Sequence, residues 1–485
     1  MGLKKRVVVM KFGGTSVADA AAIRRMARIV ADERARTGRA PVVVVSAMAG
    51  VTDALLTLSR AAVGGDRNAV ERGVDDLRQR HTDVAAVLVG PSRAAALIDL
   101  IDQQLEELRA VLTAVSSLRE ASLRSLDSIA STGELLSSRI VAAALAEAGL
   151  DSAWVDARGV MVTDDSYTCA LPLPALTRDA ASRTILPALE AGLIPVLGGY
   201  IGATPEGVTT TLGRGGSDYS AALFAAAIHD LQQGSADTAG SGAATEIQIW
   251  TDVDGMLTAD PQIVDRPRLV PRLSFGEASE LAYFGAKVLH PSTILPAVER
   301  DIPVRILNSR RPEAAGTLIT SHASSNERPI AAIACKRGIT VIEVTSTRML
   351  MAHGFLRRLF EVFERCGTPV DVVTTSEVSV SVTVDDDRNL DAIVGALTEF
   401  AEVSIERDMA ILCVVGDHLR ADPRLAVRLL GSLEGFRLQM VSQAASRRNL
   451  TVVVHDSDLP SAMTRLHRVW VAEPAEALAV AGTGA

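Results

Sequence analysis

The chain has 485 residues, of which 48% are hydrophobic, 22% charged and only 3% aromatic. One hydrophobic core rarely covers this length, so about three domains with aliphatic cores are expected. The net charge of −9 argues against a nucleic-acid-binding surface, which needs clustered positive charge. There is no run of about 18 apolar residues, so no membrane span is expected. The four scattered cysteines predict reduced thiols in a cytoplasmic protein.

Short apolar runs alternate with helical patterns in the N-terminal two thirds. Such runs fit strands buried on both faces of a mostly parallel sheet. They lie at 7–10, 41–48, 193–202, 246–253 and 302–308. The alternation predicts an α/β layered domain at 1–320. Within it, 66–130 has helical spacing and predicts a helical excursion, whereas the small polar residues of 230–245 predict an exposed flexible insert.

The C-terminal third has a different pattern. The predicted order β-α-β-β-α occurs twice, and GTPVDVVTTSEVSVSVTV from Gly367 resembles GFRLQMVSQAASRRNLTVVV from Gly435. A repeat of this length is typical of small ferredoxin-like units. We therefore predict two such domains, at 331–408 and 409–472, followed by a tail at 473–485.

A first glycine motif, KFGGTS, follows the first apolar run. Gly13 and Gly14 let backbone N–H groups approach an anion without interference from a side chain. Lys11 supplies a point charge suited to phosphate oxygens. A plain strand–helix turn with a solvated lysine explains the motif equally well, so the motif alone leaves both interpretations open.

A second glycine motif, GRGGSD, opens an apolar helix. Ser217 or Asp218 could simply cap that helix. Capping needs neither Arg214 nor the preceding glycines, and a guanidinium here could form paired hydrogen bonds with a carboxylate or phosphate. The motif therefore favours a functional site.

Two further segments carry candidate ligand-binding side chains. WTDVDG places Asp252 where a predicted strand runs into a loop, and it lacks the terminal glutamate of a calcium loop. Contact with a nucleotide is the favoured interpretation, because ligands gather at the carboxyl ends of strands in open α/β sheets. FGAKVLHPST carries Lys287 and His290, and taken alone it would be interpreted as the end of a surface helix.

Together these segments resemble the aspartate kinases. KFGGTSVAD, VVSAMAGVTD, STGELLSS, TTTLGRGGSDYSA, WTDVDG and FGAKVLHPSTILPA occur in that family's order over residues 5–320. The repeated C-terminal units resemble its paired ACT domains, and the combination is similar to the monofunctional lysine-sensitive and plant-like members. The resemblance implies an α/β amino-acid-kinase (carbamate-kinase-like) three-layer fold with a mostly parallel sheet, followed by two ferredoxin-like ACT domains.

The resemblance also implies an activity, with ATP and Mg²⁺ as cofactors. The β-carboxylate of L-aspartate would be phosphorylated to 4-phospho-L-aspartate, the first step of the aspartate-family amino-acid pathway. Lysine would inhibit through the ACT domains, which would also pair chains into a homodimer or homotetramer. Two alternatives stay open: another amino-acid kinase, such as a glutamate or acetylglutamate kinase, and a non-catalytic amino-acid sensor.

The family pattern assigns roles residue by residue. Lys11 would hold the transferred phosphoryl group and Asp218 would orient that lysine. The aspartate substrate would be held by Ser46, Thr52, Glu134, Arg214, Gly216 and Ser217, with the arginine on its α-carboxylate and the glutamate on its ammonium. The nucleotide would be held by Gly13, Gly14, Thr251, Asp252 and Lys287. The amino-acid effector would contact Met349, Phe355, Leu356, Val370, Asp371, Thr375, Ser376 and Glu377.

The expected chemistry needs no general base. A carboxylate nucleophile with a reference pKa of about 3.9 is already ionised at neutral pH, so His290 is predicted to be structural. The barrier is repulsion between two anions, which positioning and charge neutralisation by Lys11, glycine N–H groups and Mg²⁺ would lower.

Overall fold

The computed structural model describes residues 7–233, 245–285, 291–321, 330–346, 353–417, 419, 423–443 and 446–472. The chain divides into two compact units. The first comprises Met1–Gly255 and Leu289–Ser321, and the second comprises Met256–Val288 and His322–Ala485. The predictions for Lys287, His290, Met349, the tail and most of the insert at 230–245 fall outside the described residues.

The regular elements follow one another in an order that changes from mixed α/β to a repeated β-α-β-β-α pattern. The strands are β1 (Val7–Phe12), β2 (Val42–Val45), β3 (Ser152–Trp154), β4 (Ile194–Gly198), β5 (Ile201–Ala203), β6 (Thr209–Thr211), β7 (Thr245–Thr251), β8 (Arg272–Ser274), β9 (Val304–Asn308), β10 (Thr317–Thr320), β11 (Ala332–Thr345), β12 (Val373–Thr375), β13 (Ser379–Val384), β14 (Glu402–Val415), β15 (Met440–Ser442) and β16 (Asn449–His455). The helices are α1 (Ala20–Thr37), α2 (Val51–Gly64), α3 (Arg67–Leu88), α4 (Pro91–Leu118), α5 (Leu123–Glu147), α6 (Pro174–Glu190), α7 (Gly216–Gln233), α8 (Phe275–Tyr283), α9 (Leu295–Val298), α10 (Phe355–Arg365), α11 (Leu390–Thr398), α12 (Pro423–Gly431) and α13 (Leu459–Leu466).

The first unit is built around a mostly parallel sheet. Its strands lie in the order β3-β4-β2-β1-β7-β9-β10, and among them only β10 is antiparallel to its neighbour in the described part of the sheet. Every residue of β1 and β2 is buried, which explains why all of them except Lys11 are apolar. Strand order changes direction at β1, which has β2 on one side and β7 on the other. Ligands of open α/β sheets bind beyond the carboxyl ends of strands at such a point.

Long helices account for the region predicted to be a helical excursion. Helices α3 and α4 and the start of α5 occupy residues 66–130, and their apolar faces belong to the same core cluster as β1 and β2. Among the described residues, α5 is the one helix long and apolar enough to cross a membrane. However, 83% of its apolar window is buried inside the protein, as expected of a core helix.

The second unit contains the two predicted repeats. The first repeat is β11-α10-β12-β13-α11 and the second is β14-α12-β15-β16-α13. Their strands form one antiparallel sheet in the order β12-β13-β11-β14-β16-β15. Gly367 and Gly435, which match in the repeated sequence, both have positive φ angles, of 58° and 89°, shortly after α10 and α12. The expected fold class, a mostly parallel α/β sheet followed by ferredoxin-like units, is confirmed.

The structure differs from the sequence prediction at the run 193–202, which is two strands rather than one. Strand β4 ends at Gly198, and the chain turns through Tyr200, whose φ is 65°, before β5 begins. A Cβ added at Gly199 would lie 2.8 Å from the Ser217 Cα atom. The break therefore lets the backbone approach the first turn of α7 closely, which only glycine permits.

Candidate active site

The predicted substrate residues gather around one cavity of about 520 Å³ in the first unit. It lies beyond the carboxyl ends of β1 and β2 and beside the first turn of α7. Its lining residues are Lys11, Ser46, Thr52, Glu134, Thr168, Tyr200, Gly213, Arg214, Gly215, Gly216, Ser217 and Asp218. All six residues assigned to the substrate and both assigned to catalysis are thus in one place.

Lys11 and Asp218 form an ion pair inside the cavity. The Lys11 Nζ atom lies 2.8 Å from Asp218 Oδ1, and the two side chains are only 11% and 15% exposed. Lys11 is fixed by the central strand β1, where its neighbours are Val44 and Ile249, and Asp218 lies in the first turn of α7. The aspartate therefore holds the ammonium at the cavity wall, where it can meet an anionic ligand.

Gly13 and Gly14 continue the chain directly past the ammonium. A Cβ at Gly13 would lie 3.6 Å from Lys11 Nζ, and one at Gly14 would lie 3.0 Å from the carbonyl oxygen of Ala47. The Gly13 N–H donates to the carbonyl of Trp250. The bare backbone thus passes between neighbouring strand ends, and a side chain at Gly14 would push against the loop after β2.

Ser46 and Ser217 join two walls of the cavity. The Ser46 hydroxyl donates to the Ser217 hydroxyl at 3.0 Å, and the Ser46 N–H donates to the carbonyl of Phe12 at the end of β1. Thr52 follows on the first turn of α2, which begins after Gly50 with a φ of 78°. These short polar side chains give the cavity hydroxyl groups that can donate or accept hydrogen bonds.

Glu134 is a buried carboxylate with spare hydrogen-bonding capacity. It is 3% exposed, and its Oε1 atom accepts from the Ala47 N–H at 3.2 Å, while the buried Oε2 atom has no partner among the described residues. Burial raises the pKa of Glu134 to about 8. Because buried polar atoms are nearly always paired, the free oxygen indicates a missing cationic or hydrogen-bond-donating ligand.

The GRGGSD loop adds a guanidinium to the lining of the cavity. Gly213 and Gly215 have φ angles of 75° and 73°, a conformation that favours glycine. Arg214 between them is exposed, and no described residue forms a hydrogen bond or ion pair with it. The N–H donors of its guanidinium group are thus available for a ligand carboxylate.

The predicted nucleotide residues on β7 lie at the adjacent strand end rather than in the lining of the cavity. Thr251 ends β7, and its carbonyl accepts from the Ser309 N–H at 2.8 Å and from the Ser309 hydroxyl at 3.0 Å. The Ser16 hydroxyl in turn donates to that of Ser309 at 2.8 Å. Asp252 follows as an exposed residue. The ends of β1, β7 and β9 are therefore tied together, with Asp252 facing solvent.

The donor set fits a nucleotide with its metal. Lysine, bare glycine backbone and serine hydroxyls are suited to phosphate oxygens. Among the described residues no group of three or more histidine, cysteine, aspartate or glutamate side chains could hold a metal ion. Magnesium fits such a site, because it keeps several waters and is bound largely through substrate phosphates.

Sequence reasoning missed three residues that shape the cavity. Thr168 and Tyr200 line it, both with positive φ angles, and Asp127 lies behind it, fully buried. Tyr200 carried a signal, because the Gly199–Tyr200 pair follows an apolar run at a strand end. No local signal marks Thr168 or Asp127, since each contributes through a contact with a distant segment.

The predicted effector residues lie in the second unit. The Asp371 side chain is 6% exposed, and its Oδ1 atom accepts from Lys336 Nζ at 2.8 Å and from the Tyr283 hydroxyl at 3.4 Å. Its buried Oδ2 atom has no partner among the described residues. Lys336 also pairs with Asp385 at 2.6 Å. Asp371, which is expected to meet an effector ammonium, thus already pairs through one of its two oxygens with the ammonium of Lys336.

The other described effector residues surround the start of α10 and the end of β12. Phe355 begins α10 and packs edge-on against Phe400, and Val370 directly precedes Asp371. Leu356, Thr375, Ser376 and Glu377 are exposed.

Comparison with known proteins agrees with this architecture. The model of the Amino acid kinase family matches residues 6–308, and an ACT domain model matches 412–469. The chain is 35% identical to lysine-sensitive aspartokinase 3 of Escherichia coli, covering 95% of this chain and 98% of that protein. It is 37% identical to the chloroplastic aspartokinase 3 of Arabidopsis thaliana, covering 99% and 85%.

Solved structures give the same result. The crystal structure of E. coli aspartokinase III in complex with lysine and aspartate superposes with a TM-score of 0.79 at 34% identity, covering 96% of this chain and 99% of that one. The same enzyme in complex with aspartate and ADP also gives 0.79, covering 96% and 100%. The fold and the phosphate-suited cavity define an ATP-using kinase of the amino acid kinase class. Within that class, the chain belongs to the aspartokinases.

Proposed function

We propose that this aspartokinase transfers the γ-phosphoryl group of ATP to the β-carboxylate of L-aspartate, forming 4-phospho-L-aspartate. One observation carries the proposal: a single cavity presents an unpaired guanidinium, a buried carboxylate with a free oxygen and an ammonium. Arg214 suits the α-carboxylate of an amino acid, Glu134 suits its ammonium and Lys11 suits a phosphoryl group.

In this proposal each residue has one task. Arg214 and Glu134 bind opposite charges on the same carbon of the substrate and thereby orient its side-chain carboxylate. Ser46, Thr52, Ser217 and the Gly216 backbone complete the walls. The substrate nucleophile needs no proton removed, so catalysis consists of positioning and charge neutralisation.

Lys11 neutralises the phosphoryl oxygens while Asp218 keeps its ammonium in place. The Gly14 N–H adds a donor on the same side, because that of Gly13 already donates to the Trp250 carbonyl. Thr251 and Asp252 flank the nucleotide from β7. When bound with ATP, Mg²⁺ neutralises the phosphate charge further. Two anions can then approach each other in a site where water is partly excluded.

Regulation by lysine is the second part of the proposal. Two observations support it: the relative named lysine-sensitive aspartokinase 3, and the free Oδ2 atom of the buried Asp371. That oxygen suits the terminal ammonium of lysine, and Thr375, Ser376 and Glu377 offer polar groups for the other end of the molecule. Phe355, Leu356 and Val370 would contact its aliphatic chain.

We propose further that the chain forms a homo-oligomer through its ACT units and works in the cytoplasm. The amphipathic helix α10, with Leu356 and Phe360 exposed, supports association. All four cysteines are free thiols in the structure, which suits a reducing compartment.

An ADP-release assay tests the function. We expect ADP formation that requires aspartate and Mg²⁺, and that falls as lysine is added. Glutamate and acetylglutamate serve as control acceptors, and activity with either of them instead of aspartate would favour the other amino-acid kinases. Binding of ATP without turnover on any acceptor would favour the sensor alternative. Indifference to lysine, with normal turnover, would reject only the regulatory part.

A further inference from the structure

Asp127 is a buried carboxylate outside the cavity that accepts hydrogen bonds from two cavity-forming segments. It is 1% exposed and lies on α5, seven residues before Glu134 and therefore on nearly the same face of that helix. Thr168 N–H donates to both of its oxygens, at 3.1 and 2.9 Å. Thr211 donates its N–H to Oδ2 at 3.1 Å and its hydroxyl to Oδ1 at 2.6 Å.

Each of the two segments supplies a wall of the substrate cavity. Thr168 itself lines the cavity, with a φ of 70° that is rare for a β-branched residue and requires support from its surroundings. Thr211 ends β6, and the cavity-lining loop with Arg214 begins two residues later. The Asp127 side chain thus holds two segments that supply lining residues of the cavity.

The two segments also pack directly on each other. The Ala170 N–H donates to the Thr211 carbonyl at 2.9 Å. A Cβ at Gly213 would lie 3.3 Å from the Thr168 carbonyl oxygen and 3.4 Å from Cys169 Sγ. A shift of either segment would therefore move the loop that carries Arg214.

The donors require a carboxylate rather than an amide. Both oxygens of Asp127 accept, and three of the four bonds come from backbone N–H groups. An asparagine has one acceptor oxygen, and its NH₂ group would face an N–H donor. A buried donor left without a partner costs about 1–3 kcal/mol, so the segments would shift to find other partners.

We propose that Asp127 is a positioning residue for substrate recognition: it fixes the distance between Arg214 and Glu134 without touching the substrate. The inference rests on the proposed function. One helix then carries both the group that binds the substrate ammonium and the group that sets the position of the guanidinium. The residues proposed to bind the nucleotide lie at the ends of β1 and β7 rather than on the two segments that Asp127 holds. Nucleotide binding should therefore not depend on Asp127.

The test is steady-state kinetics of Asp127→Asn in the full-length enzyme. We expect KM for aspartate to rise about ten-fold or more, with KM for ATP within two-fold and kcat within about three-fold of wild type. Thr211→Val removes one of the three donors, the Thr211 hydroxyl, and should raise KM for aspartate less. In the double variant the two effects should be less than additive, because both act on one cluster. Ser131→Ala is the control: this buried hydroxyl on the same helix donates only to Ser128, and its loss should leave both KM values unchanged.

A role in stability alone predicts a different result. Asp127→Asn would then lower the melting temperature and the active fraction, so that kcat falls while KM for aspartate stays at the wild-type value. That outcome would overturn the inference. If Asp127→Asn yields too little folded enzyme, Thr211→Val decides, since an unchanged KM for aspartate would overturn it as well. Wild-type enzyme without aspartate-dependent turnover would instead reject the proposed function, so the two failures are distinguishable.

Discussion

Glu134 in the first unit and Asp371 in the second are two buried carboxylates with the same unusual feature. Each has one oxygen atom with no hydrogen-bond partner among the described residues, and burial raises the pKa of both. They differ in the groups that stabilise the buried charge. Glu134 accepts only one backbone N–H, whereas Asp371 is paired with Lys336 at 2.8 Å. The chain thus uses two ways to keep a buried acceptor oxygen without a hydrogen-bond partner.

The difference has an energetic meaning. An uncompensated buried carboxylate destabilises the fold whenever it would ionise, and that cost is offset only when a cationic ligand arrives. A carboxylate that is already paired with an internal lysine destabilises the fold less when it is ionised. A ligand ammonium must then share that carboxylate with the lysine. We therefore expect strong ligand dependence at Glu134 and weaker, adjustable dependence at Asp371.

Of the changes to these two carboxylates, replacing Glu134 by Gln should have the largest effect. The variant loses a charge-assisted contact with the substrate ammonium, worth about 1.5–3 kcal/mol, so KM for aspartate should rise about 10- to 100-fold. KM for ATP should stay within two-fold. Steady-state kinetics against both substrates checks this expectation, and an unchanged KM for aspartate would remove Glu134 from the substrate site.

Replacing Asp371 by Asn should have an intermediate effect, confined to regulation. The lysine concentration for half-inhibition should rise about ten-fold, because the negative charge that would pair with the effector ammonium is lost, while kcat without lysine stays near wild type. Asp391→Asn provides a matched control, since Asp391 is an exposed residue on α11 of the same repeat. Equal inhibition of all three enzymes would show that Asp371 does not bind the effector.

The smallest effect concerns stability and its dependence on pH. Because the folded pKa of Glu134 is about 8 against 4.5, both states are protonated below pH 4.5. As pH rises from 4.5 to 8, the unfolded state loses its proton first, so folding stability falls. Glu134→Gln should therefore match wild type near pH 4.5 and exceed it near pH 8 by on the order of 1–3 kcal/mol.

Urea unfolding of the free enzyme at both pH values measures this gain. Asp371→Asn should show no such gain, because it also deprives Lys336 of a partner. The expectation is contradicted if Glu134→Gln gains no more stability over wild type at pH 8 than at pH 4.5. The buried Glu134 carboxylate would then already have a partner that stabilises its charge.

The amino-acid sequence predicted those parts of the site that follow strand ends. Lys11, Ser46 and Asp252 each come directly after or at the end of an apolar run, and parallel strands bring such ends to one edge. The glycines of GRGGSD likewise indicated the loop beside α7. Local patterns were sufficient here because each motif carries its own turn and helix start.

Contacts between distant segments could not be predicted in this way. Asp127 meets Thr168 and Thr211 across 41 and 84 positions, and Asp371 meets Lys336 across 35. No spacing rule connects such positions, since the contact depends on how helices and loops pack. The break of the run 193–202 after Gly198 had the same origin, because the close approach of α7 decides it.

The central claim is that Lys11, held in place by Asp218, neutralises the charge that keeps two anions apart. A double-mutant cycle on kcat tests it most directly, using Lys11→Met, Asp218→Asn and the double variant, with circular dichroism to verify folding. We predict that Lys11→Met lowers kcat by about 10³, that Asp218→Asn lowers it less, and that the double variant is no worse than Lys11→Met. If the two losses multiply, or if Lys11→Met retains normal turnover, the claim is contradicted.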